Sequence, residues 1–125
     1  MHTYETRVYY EDTDVSGVVY HANYLKYFER AREHVLGPEQ LAELLEVQGV
    51  GFVVYELSMN FKRGARLSDE IIVRSDVHRE SDYRLVFEQT AYRKPEDELL
   101  VSATIDIVCV DETGALTEIP QRLDF

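Results

Sequence analysis

The sequence predicts an α+β domain in which one long helix packs against an antiparallel sheet. Apolar residues alternate with period two at the N-terminal end of the chain, change to helical spacing from Asn23, and return to period two in four later segments. The order is therefore a strand, a long helix, a short helix and four strands. Such an order favours a curved sheet of about five strands that wraps the long helix and buries its apolar stripe.

The length and composition fit one folded domain spanning residues 1–125. A chain of 125 residues is long enough to build a core without disulfides. The hydrophobic fraction of 45%, with nine tyrosines and five phenylalanines, excludes a disordered chain. A net charge of −11 argues against nucleic acid and anionic membrane as partners. No apolar run approaches the about 20 residues that span a bilayer, so we expect no membrane insertion.

Two features predict a cytoplasmic protein. Cys109 is the single cysteine, which excludes an intramolecular disulfide and fits a reducing compartment. The first five residues show neither the basic nor the apolar region of a signal peptide.

The first strand is predicted over residues 2–11 and the long helix after Asn23. The alternation places Tyr4, Val8 and Tyr10 on the inward face of that strand. Gly37 and Pro38 end the helix, and a second short helix is predicted over residues 39–48. The apolar stripe of the long helix consists of Tyr24, Leu25, Phe28, Ala31, Val35 and Leu36.

Four further strands are predicted over residues 52–62, 70–77, 83–93 and 99–110. The breaks at 78–82 and 94–98 are short and polar, as in antiparallel hairpins. The sheet face turned away from the helix still carries apolar residues, which predicts that a second subunit covers it and that the protein is a homo-oligomer. These residues are Val54, Val86, Tyr92, Val108 and Val110.

A cluster of carboxylates lies where the first strand leads into the long helix. Asp12, Asp14 and Ser16, with Gly17, match the start of a calcium loop, but Asn23 stands where that loop needs a glutamate. The histidines and Cys109 lack the spacing of a zinc site, so no metal is predicted. Ser16 lacks the first glycine of a nucleophile elbow, and the chain has no glycine-rich phosphate loop.

A carboxylate beside a helix N-terminus suits acyl-transfer chemistry. The first backbone N–H groups of a helix are unpaired and can hold the oxyanion that develops on a carbonyl. A carboxylate nearby can attack that carbonyl or activate a water. The alternative is that Asp14 caps a turn while Glu11 and Asp12 are solvated loop charges. The residues alone leave both interpretations open.

The stretch Tyr-Glu-Asp-Thr-Asp-Val-Ser-Gly-Val-Val-Tyr-His-Ala-Asn-Tyr, residues 10–24, resembles the signature of hotdog-fold acyl-CoA thioesterases of the 4-hydroxybenzoyl-CoA thioesterase type. It is most similar to the Tol–Pal-associated branch. The similarity continues through residues 28–32 and 108–111, and one small departure lies at residues 15–17. The resemblance implies a hotdog fold, hydrolysis of acyl-CoA to a carboxylic acid and free CoA, no cofactor, and a homodimer or homotetramer.

The resemblance also implies site residues. Asp14 matches the family's catalytic aspartate, which acts as nucleophile or general base. His21 matches the histidine whose backbone N–H polarises the thioester carbonyl, and Tyr10 matches a tyrosine whose hydroxyl reaches the site. The simpler interpretations are a helix-capping histidine and a core tyrosine. Counter-charges for the phosphates of CoA are expected from Lys62, Arg63 and Arg66, which are otherwise ordinary turn residues.

Two other functions compete with hydrolysis. One is a noncatalytic module that binds acyl-CoA or acyl carrier protein, although a pure binder has no need of the set Tyr10, Asp14 and His21. The other is a hotdog dehydratase, for which a different local pattern of acid and histidine is expected. The sequence therefore favours a thioesterase.

Overall fold

The computed structural model describes all of residues 1–125. Two short 3-10 turns, Tyr10–Asp12 and His21–Asn23, lie between the first strand and the first helix. The helices and strands in chain order are β1 His2–Arg7, α1 Tyr24–Leu36, α2 Pro38–Gln48, β2 Gly51–Phe61, β3 Glu70–Ser81, β4 Arg84–Arg93, β5 Glu98–Val110 and β6 Leu116–Thr117.

All strands belong to one antiparallel sheet in the order β1-β3-β4-β5-β2, with β6 beside the end of β5. The hairpins β3–β4 and β4–β5 form the centre, where Ile71 faces Arg93 and Leu85 faces Ile107. The predicted α+β class and the curved sheet around a central helix are confirmed. The two-residue β6 was missed because so short a segment carries no periodicity.

The core lies between α1 and the concave face of the sheet. Tyr24, Tyr27, Phe28 and Ala31 of α1 are at most 2% exposed. Burial of a large apolar side chain such as that of Phe28 stabilises the fold by roughly 1.5–3 kcal/mol. The predicted stripe is correct except for Leu25, which is exposed. The facing sheet residues include Ile71, Val73, Leu85, Phe87, Val101 and Ile105.

The prediction that Tyr10 faces inward is wrong. β1 ends at Arg7, and Tyr10 lies on a 3-10 turn with its side chain 83% exposed. The cause is a local closure at Tyr9: its N–H donates to Asp12 Oδ2 and its carbonyl accepts from the Asp12 N–H, both at 2.9 Å. Once the chain turns in this way, the alternation of the strand no longer determines which way a side chain points.

The outer face of the sheet is less open than predicted. Val86 and Val108 are buried within the chain itself, so the expectation that a second subunit covers them is wrong, whereas Val54 is exposed. The larger apolar exposure lies along β2, an edge strand that pairs only with β5. Its exposed side chains are Val53, Val54, Tyr55, Leu57 and Phe61. A long apolar edge of this kind is a template for pairing with another strand. Neither helix has the length and apolar character needed to cross a membrane.

Candidate active site

Asp14 occupies a tight turn between β1 and α1. Its N–H donates to the Val18 carbonyl at 2.8 Å, and the Gly17 N–H donates to the Asp14 carbonyl at 3.0 Å. Gly17 has a φ of +80°, a backbone conformation that side-chain-bearing residues rarely adopt. The Ser16 N–H donates to Asp14 Oδ1 at 2.8 Å, while Oδ2 has no protein partner. One oxygen of the half-buried carboxylate therefore caps the turn and the other is free to act.

The helical segment begins at His21, in a 3-10 turn that runs directly into α1. The Asn23 N–H donates to the Tyr20 carbonyl at 2.8 Å. The N–H groups of His21 and Ala22 come before Asn23. At the start of a helical segment such N–H groups have no carbonyl acceptor within the segment. The His21 ring lies 4.5 Å from the Tyr20 ring and 6.2 Å from the Phe61 ring, between centroids, and its nitrogens have no protein partner.

Asp12 is the residue that sequence reasoning misplaced. The expectation of a solvated charge is wrong, because Asp12 is 8% exposed and Oδ2 accepts from the Tyr27 hydroxyl and the Tyr9 N–H, both at 2.9 Å. Its carbonyl accepts from the Tyr20 N–H and from Asn23 Nδ2, again at 2.9 Å. Asp12 thus closes the loop that carries Asp14. The sequence carries no capping-box signal for this contact, because Tyr9 stands where that motif has serine or threonine.

Burial and the Asp12 carboxylate together raise the pKa of Tyr27 far above its ordinary value of 10.0. Desolvation is the larger cause, since it disfavours the phenolate, and the hydrogen bond to a negative acceptor adds to it. Tyr27 therefore remains a donor to Asp12 throughout the physiological range.

An open cavity of about 320 Å³ brings several predicted residues together. Asp14, His21, Lys62 and Arg63 all line it, but Tyr10 and Arg66 do not. Arg66 lies next to it, paired through its backbone with Val18. The remaining lining residues are Val18, Val19, Tyr24, Phe61 and Gly64. A carboxylate, the start of a helix and two basic side chains thus line one cavity.

The basic residues differ in how far they are engaged. Arg63 Nε lies 3.0 Å from Glu98 Oε2, whereas Lys62 forms no ion pair and remains exposed. Arg93 was not among the predicted residues. It contacts Glu98, donates to Asp69 Oδ2 at 3.0 Å and donates to the Gly64 carbonyl at 3.3 Å. Arg93 therefore fixes the turn on which the predicted phosphate contacts lie.

The turn that carries Lys62 and Arg63 is also tied to α1, because the Ala65 N–H donates to the Tyr24 hydroxyl at 3.2 Å.

The acidic loop forms no metal centre. The Asp12 carboxylate points inward to Tyr27 rather than towards Asp14. No three histidine, cysteine, aspartate or glutamate side chains are placed to hold a metal ion together.

Comparison with known proteins identifies relatives over nearly the whole chain. The model of the thioesterase-like superfamily matches residues 8–124. An acyl-CoA thioesterase, YbgC, from Haemophilus influenzae is 40% identical over 111 residues, which cover 87% of this chain and 80% of that protein.

Solved structures of thioesterases are also similar to this chain. A probable thioesterase from Bartonella henselae is 34% identical and superposes with a TM-score of 0.86, covering 95% of this chain and 98% of the other. A 1,4-dihydroxy-2-naphthoyl-CoA thioesterase from Synechocystis is 27% identical with a TM-score of 0.87, covering 96% and 90%. The predicted hotdog fold and the predicted enzyme class, a thioester hydrolase, are confirmed.

Proposed function

Because this chain belongs to the thioesterase-like superfamily, we propose that it hydrolyses acyl-CoA to a carboxylic acid and free CoA, with Asp14 as the reacting carboxylate. The observation that carries the proposal is the position of Asp14. Asp14, whose Oδ2 has no protein partner, and His21, at which the helical segment begins, line the same open cavity. The relatives named as acyl-CoA thioesterases support CoA as the thiol.

Two chemical routes use the same geometry. In the nucleophilic route, the Asp14 carboxylate attacks the thioester carbonyl, the C–S bond breaks, CoA leaves as a thiolate that takes up a proton, and water hydrolyses the resulting anhydride. In the general-base route, Asp14 removes a proton from water as the oxygen of that water attacks the carbonyl, the C–S bond then breaks, and the CoA thiolate that leaves takes up the proton. In both, the backbone N–H of His21 stabilises the negative charge that develops on the carbonyl oxygen.

The roles of the remaining residues follow from their positions. The imidazole of His21 has no protein partner and is available to orient a water or the carboxylate. Tyr10 is not included in the proposed site, since it is exposed and does not line the cavity. Lys62 and Arg66 are the proposed phosphate contacts, because neither side chain forms an ion pair, while Arg63 would first have to leave Glu98.

We propose that the working form is a homodimer or a tetramer built of dimers. The cavity lies at the Phe61 end of β2, which is one of the two edge strands of the sheet, and it is open on one side. A second copy on that edge would cover both the apolar side chains of β2 and the open side of the cavity. The cytoplasm is the proposed compartment, in keeping with the one free cysteine, Cys109.

A panel of acyl-CoA substrates with detection of the released thiol tests the activity. We expect thiol release from at least one aliphatic or aromatic acyl-CoA, at a rate proportional to enzyme concentration. The matched acyl carrier protein thioesters are included, because an acyl-carrier substrate would change the assigned thiol but not the chemistry. Retained binding of acyl-CoA without hydrolysis of any substrate would instead indicate a noncatalytic binding module.

A further inference from the structure

Four charged side chains form a cluster beside the cavity of Asp14. Arg93 and Glu98 face each other across the β4–β5 hairpin and are in contact. Arg93 Nη1 also donates to Asp69 Oδ2 at 3.0 Å, and Arg63 Nε lies 3.0 Å from Glu98 Oε2. Of these four side chains, Arg63 is the one that lines the cavity. The cluster therefore joins one residue of the site to three residues outside it.

Glu98 bridges two arginines that depend on it to different degrees. Its Oε1 contacts Arg93 and its Oε2 contacts Arg63. Arg93 has two further acceptors, Asp69 and the Gly64 carbonyl. The side chain of Arg63 has Glu98 alone and is 66% exposed, whereas that of Arg93 is 25% exposed. Arg63 is therefore the member of the cluster that leaves at the least cost.

The backbone beneath the Arg63 side chain is fixed. The N–H groups of Lys62 and Arg63 both donate to the Leu100 carbonyl, at 2.7 and 3.2 Å. The next carbonyl, that of Gly64, accepts from Arg93. A change of partner for the Arg63 guanidinium thus needs rotation of its side chain only, and the wall of the cavity stays in place.

A phosphate group is a competitor of Glu98 for this guanidinium. The planar fork of arginine suits phosphate as well as carboxylate. When Arg63 leaves, Glu98 remains paired with Arg93, so no carboxylate loses its only counter-charge. An exposed ion pair is weak. Its competition should therefore weaken the binding of a phosphate by about two- to fivefold, and not prevent it.

Because CoA is the thiol of the proposed function, on which this step rests, we propose that Glu98 is a specificity-determining residue that withholds Arg63 from the phosphates of CoA. A phosphate-bearing thiol draws Arg63 from Glu98 to the phosphate, whereas a thiol without phosphate leaves the ion pair intact. Glu98 thereby reduces the advantage that phosphates give to a substrate. It does so without contact to the reacting carbonyl, since it does not line the cavity of Asp14.

The dissociation constants of CoA and of pantetheine, its portion without phosphates or nucleoside, test this role without any need for hydrolysis. We expect Glu98→Gln to lower Kd for CoA by about two- to fivefold and to leave Kd for pantetheine unchanged, as measured by calorimetric titration at low salt. Glu96→Gln is the matched control, because Glu96 is exposed in the same hairpin, forms no ion pair and carries the same charge. Equal Kd values for CoA in the two variants, or no binding of CoA to any of them, would overturn the proposal.

A double-mutant cycle assigns the effect to Arg63. Arg63→Ala should weaken CoA binding about two- to fivefold more in the Glu98→Gln protein than in the wild type, because the guanidinium is free only when Glu98 has lost its charge. Arg93 keeps Asp69 and Gly64 in every variant, and thermal unfolding checks that each is folded. The same effect of Arg63→Ala in both backgrounds would contradict the role of Arg63.

Failure of the proposed function gives a different result from failure of this role. A protein that releases no thiol from any acyl-CoA would not be a CoA thioesterase, yet the Kd values for CoA would still decide whether Glu98 withholds Arg63. Conversely, thiol release from acyl-CoA by the wild type, together with equal Kd values in Glu98→Gln and Glu96→Gln, would retain the hydrolysis and remove Glu98 from recognition.

Discussion

The Tyr27 hydroxyl donates to Asp12 Oδ2 across 2.9 Å and links the loop before α1 to the first turns of that helix. The same oxygen accepts the Tyr9 N–H, and the Asp12 carbonyl accepts from Tyr20 and Asn23. Asp12 therefore holds both ends of the segment that contains Asp14 and His21. The separation between the proposed reacting carboxylate and the helix start is set by a neighbour that takes no part in the chemistry.

Tyr27→Phe should destabilise the protein by about 1–3 kcal/mol, because it leaves a buried carboxylate with one donor fewer. Asp12→Ala should cost more, since it removes the acceptor from the buried Tyr27 hydroxyl and from the partly buried Tyr9 N–H. Urea unfolding measures both. Tyr10→Phe is the matched control: its hydroxyl is exposed, so stability should stay within about 0.5 kcal/mol of wild type. A Tyr27→Phe variant as stable as Tyr10→Phe would show that the Asp12 contact contributes nothing.

Stability should fall as the solution becomes alkaline. Burial raises the pKa of Cys109 from 9.0 to about 11, so the folded state retains a proton that the unfolded state releases. The stabilisation is complete below pH 9 and is lost as the pH rises through 11. Tyr27 acts in the same direction from pH 10 upward.

Unfolding free energies measured between pH 8 and 11 check this dependence. Cys109→Ala should flatten the decline in unfolding free energy that begins near pH 9. Tyr27→Phe should flatten the part of that decline that begins near pH 10. A slope unchanged by both substitutions would mean that neither group titrates differently on unfolding.

Periodicity predicted the elements whose apolar residues lie on one continuous face. The stripe of α1 and the alternation of β4 and β5 are of this kind, and their bounds differ from prediction by at most one residue. Tyr10 and Asp12 were misplaced because a 3-10 turn breaks the alternation within three residues. Arg93 could not be identified, since its partner Gly64 lies 29 residues away in sequence.

Lys62→Ala should raise KM for acyl-CoA more than it lowers kcat, and Arg63→Ala should do less, because Arg63 is already paired with Glu98. A lysine that contacts phosphate acts on binding rather than on the reacting carbonyl. The effect should shrink as salt rises. Arg122→Ala, an exposed position outside the cavity, controls for the change in net charge. An equal change in KM for Lys62→Ala and Arg122→Ala would place the phosphates elsewhere.

Leu57→Lys should shift the protein from dimer towards monomer. Leu57 lies in the middle of β2, is 40% exposed on the unpaired edge, and is part of the apolar row that a second copy would cover. A buried lysine without a partner opposes association. Light scattering at micromolar concentration gives the mass. Leu116→Lys on β6, also exposed, is the matched control. A wild-type protein that is monomeric at that concentration would contradict the proposed assembly.

Asp14→Asn should reduce kcat by about 10²–10⁴ or more while acyl-CoA still binds. The amide retains the shape of the side chain but removes the charge, so it can serve neither as nucleophile nor as general base. Binding should persist because Lys62 and Arg66 are unchanged. Glu11→Gln is the control, since Glu11 is exposed and outside the cavity, and its kcat should match wild type.

A single turnover in ¹⁸O-water, with enzyme in excess over acyl-CoA, distinguishes the two routes through Asp14. In the nucleophilic route, water that attacks the aspartyl carbonyl of the anhydride transfers its label to Asp14, and mass spectrometry of the peptide that contains this residue detects it. In the general-base route, all the label enters the released acid, as it also does when water attacks the acyl carbonyl of an anhydride. Label on Asp14 would therefore establish the anhydride. A kcat close to wild type in Asp14→Asn would instead remove Asp14 from both routes, because each needs its negative charge.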